Sequence, residues 1–257
     1  MTLDVRIRAE RVLVGERFSV SFQRTQRVTE SLHAAPVPPS WGALPVHAVS
    51  DYPQFAARVS DVKNAFLIPV AQDEAVWLGF GAAAFKPNAL KVGFAGRNTV
   101  TGEKFDNRLR ANPQNYVVCP PQLSLEGIRT DDGSLCQIVL GSQSDAANWK
   151  TSVLSMIVCE AKIGTFPDEP PNPIRSEINV LQSLSEVLHD DAGDKTLALR
   201  IAGEVHRDPY GIDTWDPDPI GCLRVYMVGH EQYKEITGGD PPARNADRDI
   251  YQGNYLP

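Results

Sequence analysis

Two stretches near the start, Leu3-Asp4-Val5-Arg6-Ile7-Arg8 and Phe18-Ser19-Val20-Ser21-Phe22-Gln23, decide the fold class. In both, apolar and polar residues alternate. A strand points successive side chains to opposite faces, so the pattern sends one set into a core and the other to solvent. Between them, Val12 to Val14, then Gly15-Glu16-Arg17, then Phe18 reads as a hairpin with a glycine-containing turn.

The same language continues along the chain. Ala65 to Val70 and Ala75 to Phe80 read as two buried strands linked by Ala71-Gln72-Asp73-Glu74, and Leu90 to Phe94 as another. Tyr116 to Cys119 and Val153 to Cys159 are further apolar runs, and Ile128 and Leu135 to Leu140 flank the turn signal Thr130-Asp131-Asp132-Gly133-Ser134. Alternation returns at Leu197, Leu199 and Ile201 and at Leu223, Val225 and Met227. Helical spacing is rarer. Tyr52, Phe55, Ala56 and Val59 predict one short helix within Asp51 to Ser60, with Asp51 as its cap and Pro53 in its first turn. Ile174, Ile178, Leu181, Leu184 and Leu188 predict a second helix, and Glu231 to Ile236 a short helical turn before Gly238-Gly239. Many short strands, few helices and no βαβ rhythm predict a mainly β chain: an antiparallel β-sandwich or jelly-roll with one or two short helices.

The organisation expected is one domain. Residues 1–165 form the main sandwich, 166–195 a proline-rich connector and helix, 196–237 strands that complete the same domain, and 238–257 a surface tail. Proline removes a ladder donor, so Pro167-Asp168-Glu169-Pro170-Pro171-Asn172-Pro173 predicts an exposed connector.

Composition narrows the partner classes. The formal net charge is −7 and no Lys/Arg block occurs, which argues against nucleic acid, whose binding needs clustered cations. No apolar run approaches the ~18–20 residues of a membrane span. Met1 to Glu10 mixes charged and apolar residues where a signal peptide would carry an apolar segment, so a cytoplasmic location is expected. The four cysteines, Cys119, Cys136, Cys159 and Cys222, have no metal spacing and are expected to be buried free thiols. No two of His33, His47, His189, His206 and His230 stand four apart, so no helical metal pair exists. A GxSxG elbow is absent, and Gly79-Phe80-Gly81 lacks the third glycine of a dinucleotide loop.

The densest chemical signal is His206-Arg207-Asp208-Pro209-Tyr210-Gly211-Ile212-Asp213-Thr214-Trp215-Asp216-Pro217-Asp218-Pro219. Converging carboxylates suit a hard divalent cation such as Ca²⁺, for which Asp213, Asp216 and Asp218 are the candidate ligands. Aromatic rings beside carboxylates also suit carbohydrate or peptide recognition, which makes Tyr210, Asp213, Trp215, Asp216 and His206 candidate ligand-binding residues. The alternative is a structured loop in which aspartates cap turns, prolines stiffen and Trp215 anchors to the core. A second signal is Cys119-Pro120-Pro121-Gln122-Leu123-Ser124-Leu125-Glu126-Gly127-Ile128, where Glu126 is either a buried acid/base or a turn residue before Gly127.

At these two motifs the chain resembles a family of uncharacterised bacterial proteins. That family carries Cys-Pro-x-Gln-Pro-Trp-Leu-Asp-Gly-Ile, then a glycine turn and an Ile-Arg-Gln-Phe-Val strand, then Asp-Pro-Tyr-Gly-Leu-Asp-Thr-Trp-Asp. The matching residues are Cys119, Pro120, Gln122, Gly127, Ile128, Gly133, Gln137, Val139 and nearly all of Asp208 to Asp216. Leu123-Ser124-Leu125-Glu126 replaces the Pro-Trp-Leu-Asp of the family pattern, and Cys136-Gln137-Ile138 replaces its Arg-Gln-Phe. The resemblance implies a shared fold and no particular activity.

The function expected from the sequence is a non-catalytic sandwich that binds a small ligand or a protein partner and can assemble as a homo-oligomer. The alternative is a hydrolase using Asp213, Asp216 and His206, with or without a divalent ion.

Overall fold

The computed structural model describes residues 4–15, 17–28, 40–59, 62–129, 135–141, 152–169, 205–219 and 221–243. The expected helix over 174–188, the alternation at 197–201, the turn at 130–134 and most of the tail lie outside the described residues, as do residues 170–173 of the proline connector.

The elements, in chain order, are β1 (Val5–Arg8), β2 (Arg11–Val14), β3 (Phe18–Gln26), β4 (His47–Ala48), α1 (Pro53–Ala56), β5 (Ala65–Pro69), β6 (Glu74–Ala82), β7 (Asn88–Phe94), β8 (Arg97–Asn98), β9 (Val117–Cys119), β10 (Ser124–Leu125), β11 (Ile128–Arg129), β12 (Leu135–Cys136), β13 (Ile138–Val139), β14 (Val153–Glu160), β15 (Gly221–Val228) and α2 (His230–Thr237). The first sheet runs β1-β2-β3-β6-β10, with β13 also on β6; the second runs β4-β5-β15-β14-β7-β8, with β9 on β7. The chain is therefore mainly β, a sandwich with short helices. Pairing is antiparallel throughout the described strands except for β15, which lies parallel to β5. A parallel neighbour needs a long crossover rather than a hairpin, and here most of the chain intervenes between the two strands.

Side-chain alternation explains the layers. Val20 and Phe22 of β3 and Val76, Leu78 and Phe80 of β6 meet Leu90 and Val92 of β7, Leu154, Met156 and Val158 of β14, and Leu223, Val225 and Met227 of β15 in the central core. The first sheet turns Ser19, Ser21 and Gly79 to its other face, where Ser21 Oγ donates to the Gly79 carbonyl at 3.3 Å. The second sheet is apolar on both faces, so β5 reads as an unbroken hydrophobic run, all five residues of which are buried. Its outer face carries two satellite clusters. One joins Val49, Phe55, Leu67, Tyr226, Val228 and Tyr233 under α1 and α2. The other joins Ala89, Tyr116, Val118, Ile157, Cys159 and Trp215 under the acidic loop. Lys91 shares that outer face. Its fully buried ammonium donates to Asp106 Oδ1 at 2.5 Å and to the Arg108 carbonyl at 2.6 Å, which keeps the Asp106 carboxyl well below its usual range.

Three local expectations change. Asp51 does not cap α1: it ends a 3-10 turn, Val49–Asp51, and Tyr52 holds the cap position without a side-chain hydrogen bond. Burial of Phe55 fixes this turn, and the helix ends at Ala56. The short turn expected at Glu231 to Ile236 is an eight-residue helix, closed by Gly238 at φ 74°. Cys119 and Cys159 are buried, and burial pushes both thiols up to about 12, but Cys136 and Cys222 are exposed. Cys222 stands between Gly221 and the core-facing Leu223, where alternation turns it away from the core.

Candidate functional site

The acidic loop is tied down from beneath. Gln114 Nε2 donates to the His206 carbonyl at 3.0 Å, and Gln114 Oε1 accepts from the Asp208 amide at 2.9 Å. Gln122 Oε1 accepts from the His206 amide at 2.9 Å. The Asp208 carboxylate accepts from the Tyr116 hydroxyl at 2.5 Å, from Trp215 Nε1 at 2.8 Å and from the Tyr210 amide at 2.8 Å. Burial together with the Asp208 charge holds the Tyr116 phenol far above its usual range, so it stays a donor. Trp215 is 2% exposed, pairs through its backbone with Ala161 just after β14 and packs edge-on to Tyr210, which packs edge-on to Phe166 in turn.

This geometry sorts the candidate residues. Trp215 is an anchor and Asp208 is the acceptor that orients it. Tyr210 is 43% exposed, Asp213, Asp216 and Asp218 are exposed, and His206 is half-buried. Asp216 Oδ1 accepts from the Asp218 amide, a turn contact within the loop. Among the described residues, no three His, Cys, Asp or Glu side chains converge as a metal set. Asp213 lies within the 3-10 turn Ile212–Thr214, and Asp216 and Asp218 follow the inward Trp215. Glu126 is half-buried beside Ser124, whose hydroxyl donates to it, and Gly127 follows where an added Cβ would lie 2.4 Å from the Cys136 carbonyl oxygen. The turn reading fits that position.

A different concavity lies over the other satellite cluster. Asp51, Tyr52, Phe55, Arg58, Glu235 and Thr237 are among the residues lining a groove of about 400 Å³ between α1 and α2. Beneath it, His47 of β4 is held between two phenols. The Tyr52 hydroxyl lies 3.0 Å from Nδ1 and the Tyr233 hydroxyl 2.8 Å from Nε2, with both rings edge-on to the imidazole. Burial lowers the His47 pKa, against the opposing pull of Asp51, and burial raises both phenols. The trio is therefore neutral near pH 7. Sequence reading takes Tyr52 as a helix-face residue and His47 as a scattered histidine. The chemistry appears only when β4, placed on β5, meets α2, which follows β15 across the same strand.

His47 also sets a pH dependence. The unfolded chain takes up a proton near the ordinary value of 6.5, and the folded chain does so only at lower pH. The His47 contribution is thus complete above 6.5 and is lost as pH falls through 6.5 toward the folded value. Urea unfolding of the wild type and of His47→Gln between pH 7.5 and 5 checks this: the wild type should lose the larger share of its stability across that interval. Parallel curves would refute the assignment.

Known protein families, curated proteins and solved structures give no match to this chain.

Proposed function

We propose that this protein is a β-sandwich binding module whose ligand seat is the groove between α1 and α2. The carrying observation is the juxtaposition of that groove with the hydrogen-bonded Tyr52–His47–Tyr233 trio, of which Tyr52 is a lining residue. Ligand sites usually have volumes of about 300–1,000 Å³, and the groove, at about 400 Å³, falls in that range. The acidic loop serves as scaffold in this reading, since the Asp208 carboxylate is committed to Tyr116, Trp215 and the Tyr210 amide.

The test is a fragment screen followed by two-dimensional amide NMR of the labelled full chain. Bound fragments should move the amides of residues 51–58 and 235–238. Shifts gathered instead on residues 206–218 would return the site to the loop. Turnover of ester, glycoside or phosphoester substrates that is lost in Asp213→Asn or His206→Gln would establish the hydrolase.

A further inference from the structure

β1 ends the first sheet and has four residues, whereas β4, β8 and β10, at the other three sheet ends among the described residues, have two each. The hydrogen-bonding polarity of β1 is fixed by its partner β2. The Gly15 amide donates to the Asp4 carbonyl at 2.9 Å, and the register sets Arg6 opposite Leu13 and Arg8 opposite Arg11 in the same phase. Ladder groups alternate in direction along an antiparallel strand, so the N–H and C=O of Val5 and Ile7 point away from β2, to the open edge. An edge of this kind is a template for a further strand. Charge adds a second feature. Arg8 stands directly opposite Arg11, a like-charge pair that opposes the hairpin. Arg11 Nη1 donates to Ser19 Oγ at 3.3 Å, and Arg8 has no ion pair among the described residues. The Asp4 carboxylate accepts from Arg6 through Oδ2, which leaves Oδ1 without a partner among the described residues.

A second copy of β1 answers both features. A strand added antiparallel preserves the two faces only when apolar residues stand opposite apolar ones, so a twofold axis must pass through a residue position and not between two. With the axis at Arg6, Val5 stands opposite the partner's Ile7 and Ile7 opposite the partner's Val5. These are the residues whose ladder groups face the open edge, and both pack against the core on the inner face. On the outer face Asp4 stands opposite the partner's Arg8, and Arg8 opposite the partner's Asp4. The two Arg6 side chains meet at the axis, each already matched to the Asp4 of its own chain. An axis at Ile7 would instead set Arg6 against Arg8, and an axis at Val5 would leave Arg8 without a carboxylate. We infer that this protein forms a homodimer by antiparallel pairing of β1 with the same strand of a second copy, in the register that joins Val5 to Ile7 and Asp4 to Arg8. β1 belongs to the first sheet and the groove lies over the second, so the dimer and the ligand seat stand or fall separately.

The experiment is sedimentation velocity of the full chain at low salt, with charge reversals at the exposed positions 4 and 8. The wild type should pass from monomer to dimer across the micromolar range, as suits a small interface. Asp4→Arg and Arg8→Asp should each weaken self-association about ten-fold or more, because each sets like charges opposite one another at two places. An equimolar mixture of the two variants should dimerise again, since every pairing of position 4 with position 8 is then opposite in charge. Arg6→Cys gives a readout that needs no charge reversal. Opposed residues at a non-hydrogen-bonded position lie about 4.5 Å apart at Cα, within disulfide reach. Mild oxidation should therefore link Arg6→Cys to itself through position 6, as mapped by mass spectrometry, while Gln54→Cys on the exposed side of α1 should not link through position 54. Thermal melts accompany each variant, and if a charge reversal loses its cooperative transition the Arg6→Cys crosslink decides. A wild type that stays monomeric throughout would overturn the dimer. A dimer untouched by both reversals and unlinked in Arg6→Cys would place the contact elsewhere and overturn the pairing of β1. Reversals that each dissociate the dimer but fail to associate when mixed would overturn the Asp4–Arg8 register.

Discussion

Trp215→Ala lowers the unfolding free energy by about 3–5 kcal/mol, the range for truncating a large buried aromatic side chain. The indole is 2% exposed and sits in a cluster with Tyr116, Val118, Ile157 and Cys159 on the outer face of the second sheet. Truncation removes that burial and opens a cavity between rigid strands, which have little freedom to collapse into it. It also deletes the Nε1 donor to Asp208, leaving that carboxylate with Tyr116 and the Tyr210 amide. Tyr210→Ala provides the contrast. Its ring is 43% exposed and rests on Trp215 and Phe166 from outside, so truncation should cost about 1 kcal/mol or less. Urea midpoints of the two variants, at equal slope, check the pair. A Trp215→Ala change below about 1 kcal/mol would sink the anchor role and reopen the loop as a recognition surface.

The parts of this protein that were legible in its sequence are those governed by local periodicity. Phe18, Val20 and Phe22 alternate with polar residues because β3 has one face on the core, and Ala65 to Pro69 is apolar throughout because β5 is buried on both. The burial of Trp215 was legible for a related reason: a proline-stiffened loop of acidic residues needs one side chain that holds it down. What stayed hidden depends on pairing across the chain. No local pattern announces that β15 inserts between β5 and β14, parallel to the first and antiparallel to the second. That insertion brings α2 over β5 and hence Tyr233 to His47. Closeness in sequence does not by itself place the aspartate carboxylates, because between them the backbone runs through a 3-10 turn and then inward to Trp215. The cap of α1 failed because burial of Phe55, rather than a capping carboxylate, fixes where the turn begins.

Breaking the Arg24–Glu74 pair should be as costly as losing Trp215, and the pattern of the cost identifies its origin. The chain leaves the second sheet at β5 and enters the first at β6, and Glu74 stands at that crossing with its side chain fully buried. Arg24 of β3 reaches it with Nη2 at 2.5 Å and Nε at 3.1 Å, both on Oε1, while the Ala71 amide donates to Oε2 at 3.1 Å. Arg24 Nη1 also faces the carbonyls of Pro242 and Ala243 at 3.3 and 3.4 Å, so the segment after α2 is fastened to the same guanidinium. Removing one partner leaves the other charge in a site that excludes water, a loss of about 3–5 kcal/mol. Arg24→Met and Glu74→Leu should therefore each fall in that range. The double variant strands no charge and fills the site with apolar groups, so it should recover most of the loss. A residue of about 1–2 kcal/mol should remain, because the Ala71 amide loses its acceptor. Urea unfolding of the four proteins closes the cycle, and repeating it in high salt should change little, since ions screen buried pairs weakly. Single losses that simply add in the double variant would show that the two side chains contribute through packing alone, and the ion pair would then have no part in fixing the crossing between the sheets.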